Sequence, residues 1–171
     1  PLSISMALGM TYNGAGGTTA EAMQKTLELE GLSNQQINES YKSLIELLTN
    51  LDPKVIFQLA NSIWYRNTMT FEEKFLNLCR TYFNAEVAGF NFNDPSSADI
   101  INAWVNINTN GKIKEIVDKP IGIDIVMFLI NAIYFKGTWT YEFKKENTKD
   151  DQFMLPDGSK VQCKMMKQNN D

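Results

Sequence analysis

Asn131-Ala-Ile-Tyr-Phe-Lys-Gly-Thr-Trp139 ends the most apolar stretch of the chain, and how that stretch is read decides the fold. Residues 125 to 135 are nearly all apolar and rich in β-branched and aromatic types. Alternation of polar and apolar residues would mark a strand with one wet face. A continuous run instead marks a strand covered on both faces, as at the centre of a sheet. Asn131 interrupts the run. A buried amide left unpaired costs about 1–3 kcal/mol, so its neighbours must supply hydrogen bonds. It is either a satisfied core polar group or a switch point in the sheet. The run is too short to span a bilayer, which takes about 20 residues.

Upstream, Leu2, Met6, Leu8 and Met10 predict a buried helix that ends at Asn13-Gly14-Ala-Gly-Gly17. Glycines suit a helix C-terminus and turn. A phosphate-binding loop would need a preceding strand and a following Gly-Lys-Ser/Thr, and neither is present. Thr18-x-x-Glu21, Ser33-x-x-Gln36 and Thr70-x-x-Glu73 each have the form of a capping box and predict three helix starts. Ile37, Tyr41, Leu44, Ile45 and Leu48 keep helical spacing after the second, and Phe71, Phe75, Leu78 and Tyr82 after the third. Between these two helices, Val55 to Arg66 changes to a period of two, with Ile56, Ala60 and Trp64 making the second face partly apolar too. That predicts a long strand.

Downstream of the third cap, Glu86 to Phe92 predicts a short strand with Ala88, Phe90 and Phe92 on one face. Asp94-Pro95-Ser-Ser opens a helix carrying Ile101, Trp104 and Val105, closed by Asn110-Gly111. After the apolar run, Phe153 to Val161 reads as two strands around a Pro156-Asp-Gly turn. Helices and strands are mixed without strict alternation and without internal repeats, so the fold class expected is α+β.

Composition narrows the function. With 43% hydrophobic and 21% charged residues the chain is globular in type, and 171 residues suffice for one domain with a core. A net charge of −4 argues against nucleic-acid binding, which needs clustered Lys and Arg. There is no histidine, which removes Ser-His-Asp and Cys-His catalysis and His-ligated metals from this chain. Cys79 and Cys163 fit no metal-ligand spacing, and Cys79, beside an apolar stripe, reads as a small core residue. Asp and Glu fall mostly at caps and on solvated faces without a convincing pair. No enzyme, cofactor, metal or membrane partner is therefore expected. The chain begins at Pro1 inside an apolar pattern and stops at Asn169-Asn-Asp171, so both ends read as cut.

Six pieces, in order, resemble the serpin family. They are Pro1-Leu-Ser-Ile-Ser-Met-Ala-Leu-Gly-Met10, then Tyr12-Asn-Gly-Ala15 with Thr18-x-x-Glu21, then Ala60-Asn-Ser-Ile-Trp-Tyr65. Ile101-Asn-Ala-Trp-Val105 with Thr109-Asn-Gly-Lys-Ile113 follows, then Asn131 to Trp139, then Pro156-Asp-Gly-Ser with Met165-Met-Lys167. The resemblance implies a partial serpin domain over residues 1–171: several helices packed on a large mixed sheet, with the C-terminal part absent. It implies a metastable protein that traps a serine or, less often, a cysteine protease. The exposed reactive loop is cleaved and then inserts as a new strand into the large sheet.

By the same resemblance, Ser3 and Asn131 match the shutter, the polar network under the sheet that governs its opening. Trp139 matches the tryptophan at the top of the sheet where loop insertion begins. The reactive-site bond is not expected in this chain, because the family's bait loop lies near the C-terminus. The partners implied are a target protease and the remainder of the same polypeptide, in a protein that is a monomer when complete. A non-inhibitory carrier or chaperone serpin is the alternative. Family habit makes the setting extracellular more often than intracellular, and the sequon Asn38-Glu-Ser40 does not decide it. No polybasic helix suggests activation by heparin.

Overall fold

A computed structural model describes residues 2–168, so the expectations about Pro1 and residues 169–171 lie outside the described residues. The elements are α1 (Leu2–Tyr12), α2 (Gly17–Thr26), α3 (Asn34–Thr49), β1 (Ile56–Arg66), α4 (Glu73–Phe83), β2 (Ala85–Phe90), α5 (Ser96–Asn108), β3 (Met127–Lys136), β4 (Lys149–Met154) and β5 (Lys160–Met165). They fall into two compact units, Pro1–Phe135 and Lys136–Asp171. The class is α+β, as the mixed pattern predicted.

In the first unit three strands form a sheet in the order β2-β1-β3. β1 and β2 run parallel, from Asn61 opposite Ala85 to Arg66 opposite Phe90, with α4 as the crossover between them. β3 runs antiparallel to β1. Asn61 in mid-β1 bonds Asn131 in mid-β3, and the Arg66 N–H at the end of β1 donates to the carbonyl of Val126 just before β3. Among the described strands β3 has one neighbour, β1, and its other edge is open, so the central position its apolar run predicts is not tested by these three strands. The run reports two covered faces, and composition does not record how many neighbours a strand has along its edges.

Each face of the sheet carries its own core. Leu59, Ile63 and Tyr65 of β1 pack with Met6 and Met10 of α1, Ile37 and Tyr41 of α3, and Leu76, Cys79 and Phe83 of α4. On the other face Trp64 packs with Phe92 and Ile130 and with Ala98, Ile101 and Val105 of α5. The segment after α5 is tied down by Asn102, which is 6% exposed. Its Nδ2 donates to the carbonyl of Val117 at 2.9 Å, and its Oδ1 accepts from the N–H groups of Ile116 and Val117 at 2.8 and 2.9 Å. Burying such polar atoms costs little when every one is paired.

Of the three predicted capping boxes only Ser33–Gln36 forms, with both reciprocal bonds present. Helix α2 starts at Gly17 behind Gly16, so Thr18 already lies inside the helix and cannot cap it. Helix α4 starts at Glu73 behind Glu72, and no side chain caps it. Phe71 packs edge-on against Tyr65, with ring centroids 5.2 Å apart, which holds that stretch extended past Thr70. The buried face of α4 is also centred one residue off the expected stripe: Leu76, Cys79 and Phe83 are its buried centre, and Phe75, Leu78 and Tyr82 flank it half-buried. Cys79 is the core residue expected. Burial raises its thiol pKa from 9.0 to about 12, with Arg80 opposing weakly.

In the second unit β4 and β5 pair antiparallel, Lys149 opposite Met165. The Pro156-Asp-Gly turn forms as expected. Asp157 Oδ1 accepts from the N–H and Oγ of Ser159 at 2.9 and 2.6 Å, which holds its carboxyl below the usual range. Gly158 takes φ +81, a conformation that side-chain-bearing residues resist. The ladder extends back to Lys149, beyond the predicted start at Phe153, because its first residues are all exposed and show no apolar period.

Candidate functional site

Asn131 faces the core formed with α1, α3 and α4, and its partner is a second strand amide. Its Nδ2 donates to Oδ1 of Asn61 at 2.8 Å. Asn61, 2% exposed, has its own Nδ2 committed to the carbonyl of Phe83 at 2.7 Å. That carbonyl belongs to the last turn of α4, where the final carbonyls lack partners within the helix. Asn84 ends the helix in the left-handed conformation, φ 52, and its N–H reaches Cys79, so Phe83 is left for Asn61.

The orientation of the pair follows from this order. Because Asn61 must donate to Phe83, its oxygen faces β3 and Asn131 must present its nitrogen. The Oδ1 of Asn131 is then turned away, buried and without a hydrogen-bond partner among the described residues. A buried acceptor of this kind costs about 1–3 kcal/mol unless something donates to it. Asn61 is not singled out by the sequence: it is followed by Ser62, so it does not break an apolar run as Asn131 does, although it lies within the Ala60–Tyr65 motif.

Around this pair the helices fit closely. The ring of Tyr41 lies 5.0 Å from that of Phe83, and its hydroxyl is 3.0 Å from Ser5 Oγ. Gly9 on α1 permits that approach, since a Cβ there would sit 2.7 Å from Tyr41 Cε2 and 3.1 Å from Phe83 Cε1.

The other expected residues do not join this network. Ser3 is half-buried on α1 and makes no side-chain hydrogen bond among the described residues; Ser5, two residues on and on a different side of the helix, makes the cross-helix bond instead. Trp139 belongs to the second unit, three residues past β3 in the chain. It is 69% exposed and packs edge-on against Phe143 with centroids 5.6 Å apart. On the opposite face of β1, Ser62 Oγ and Trp64 Nε1 are also buried and unpaired among the described residues. No group of three or more Cys, Asp or Glu that could hold a metal occurs among the described residues.

Comparison with known proteins supplies the context for this geometry. Residues 1–171 match the family described as Serpin (serine protease inhibitor). Chicken neuroserpin is 38% identical over 170 residues, covering 98% of this chain and 42% of the relative. Human neuroserpin is 36% identical over 171 residues with the same coverage. Among solved structures, the thermophilic serpin tengpin in its latent state aligns with a TM-score of 0.83 at 33% identity, covering 95% of this chain and 43% of that one. Cleaved kallistatin complexed with heparin aligns with a TM-score of 0.87 at 27% identity, covering 97% of this chain and 49% of that one. The chain thus spans less than half the length of these proteins.

Proposed function

The chain belongs to the serpin family, and from that premise we propose that the polypeptide carrying it inhibits serine-type, or cysteine-type, proteases by suicide-substrate trapping. In this reading residues 1–171 are part of a single serpin domain that is a monomer when complete. They supply the sheet and its shutter, and the bait loop and scissile bond lie outside them. Ser3 and Asn131 act in the shutter, and Trp139 marks the end of the sheet where the loop enters. The chain itself catalyses nothing, and the setting is extracellular.

The observation that supports this reading is the Oδ1 of Asn131, buried and unpaired among the described residues, on an edge strand of the described sheet. It is an acceptor held in place by Asn61 and Phe83, so a donor from the rest of the polypeptide can complete it. Such a bond is released when strands separate and re-formed in a second arrangement, which is what a two-state sheet requires. Its Asn61 bond keeps β3 attached to β1 while the far edge opens. Heparin, bound by kallistatin in one similar structure, does not enter this reading: on α3 Lys42 is the only cation, flanked by Glu39 and Glu46.

The test uses the full-length polypeptide incubated with trypsin-like, chymotrypsin-like and subtilisin-like proteases. An SDS-stable complex with at least one of them, with loss of its activity, is the expected result. Cleavage of the loop with no complex and no gain in thermal stability would favour a non-inhibitory carrier or chaperone and overturn the proposal.

A further inference from the structure

Asn38-Glu-Ser40 has the form of an N-glycosylation acceptor, which belongs on an exposed surface with its amide free. Glu39 and Ser40 are exposed on α3, but Asn38 is 1% exposed. Its Nδ2, the atom to which a sugar attaches, donates to Asn13 Oδ1 at 2.8 Å and to Asn34, whose Oδ1 and carbonyl oxygen lie 2.6 and 3.0 Å away. Its Oδ1 accepts from Asn13 Nδ2 at 2.8 Å. The two amides form a reciprocal pair that joins the turn after α1 to the second turn of α3, and both hydrogens of Asn38 Nδ2 are in use.

We infer that Asn38 carries no glycan in the folded protein, and that a sugar on its Nδ2 and the docking of α3 on α1 exclude one another. In the transfer the bond between sugar C1 and the phosphate of an activated sugar donor breaks, and a C1–Nδ2 bond forms. One Nδ2 proton is released and the phosphate-bearing group departs. The product has one N–H where the fold uses two, and the sugar would stand where Asn13 and Asn34 pack. Ser40 holds none of this together. Its exposed Oγ donates only to the Gln36 carbonyl, at 2.8 Å, so the acceptor can be abolished there without touching the buried pair. The acceptor is therefore read, if at all, only before folding.

The full-length polypeptide, directed into a eukaryotic secretory pathway, provides the test in wild-type and Ser40→Ala forms. Peptide mass mapping reads Asn38 occupancy separately in the secreted, protease-resistant fraction and in the retained, protease-sensitive one. The expected result is a bare Asn38 in the secreted fraction, with any glycan confined to retained chains and secretion raised by Ser40→Ala to the extent that such chains occur. A glycan on Asn38 in secreted protein that melts like the bare form overturns the inference. Where no chain is glycosylated at all, Asn38→Gln reads the steric half alone, since it keeps the amide and adds one methylene. A lowered melting temperature supports the closed geometry, and an unchanged one overturns it.

Discussion

Two buried asparagine pairs in the same unit meet opposite ends. Asn13 and Asn38 satisfy one another reciprocally, and Asn34 takes what remains, so the joint between α1 and α3 is closed. Asn61 and Asn131 form a one-way chain from Phe83 through β1 to β3, and it stops at an oxygen without a donor among the described residues. The closed pair has nothing to gain from rearrangement, because any movement loses bonds. The open pair has an acceptor that improves when a donor arrives, so its energy depends on what lies beside β3. The same residue type is a rivet in one place and a contact point in the other, and only the local supply of partners separates the two roles.

Substitutions in the full-length protein can break this contrast. Asn38→Leu keeps the branched side-chain skeleton but not the amide, so the closed pair is lost and Asn13 Oδ1 loses its donor, while Asn13 Nδ2 keeps only the Gly9 carbonyl. It should cost the most, about 3 kcal/mol in chemical denaturation. Asn61→Ala strands the Phe83 carbonyl and the Asn131 nitrogen together and should cost about 2 kcal/mol. Asn131→Ala strands Asn61 Oδ1 and the donor proposed to meet Asn131 Oδ1, and, at a half-buried site, should cost no more than that, about 1–2 kcal/mol. That variant should polymerise faster, as the tie between β3 and β1 is lost. Equal losses for Asn38→Leu and Asn131→Ala would erase the distinction, and an unchanged melting temperature and polymerisation rate for Asn131→Ala would overturn its proposed place in the shutter.

At neutral pH the smallest effect concerns the cysteines. Cys79 in the core has a folded pKa of about 12 against 9.0 when unfolded, so the folded state keeps the proton that the unfolded state releases. Its contribution is complete below pH 9.0 and is lost as the pH rises towards 12. The denaturation midpoint should fall over that window and fall less in Cys79→Val. A thiol reagent should label the half-buried Cys163 in the native protein and reach Cys79 only after unfolding. Rapid native labelling of Cys79 would show that the core around α4 opens readily.

Much of the fold was legible in residue patterns. The stripe on α3, the two-sided β1 and the Pro156-Asp-Gly turn all report local rules: helical spacing, strand period and backbone preference. The failures were also local rules, applied where tertiary contacts overrode them. Thr18 and Thr70 stand three residues before a glutamate, but Gly16 and the packing of Phe71 on Tyr65 set where those helices begin. The candidate site was half legible. Asn131 stood out as a polar break in an apolar run, while Asn61 needed the register of β1 against β3 to be recognised as its partner.

The residues alone determined that the chain is an α+β serpin segment, that it contains no histidine chemistry, and that Asn131 needs partners. Those conclusions rest on composition, periodicity and motif order, which survive without coordinates. Tertiary structure alone decided which way the Asn131 amide points and which of its atoms remains open. The same is true of Asn38, whose glycosylation motif turns inward. Hydrogen-bond direction depends on which donors and acceptors meet across elements distant in the chain, and no local pattern encodes that meeting.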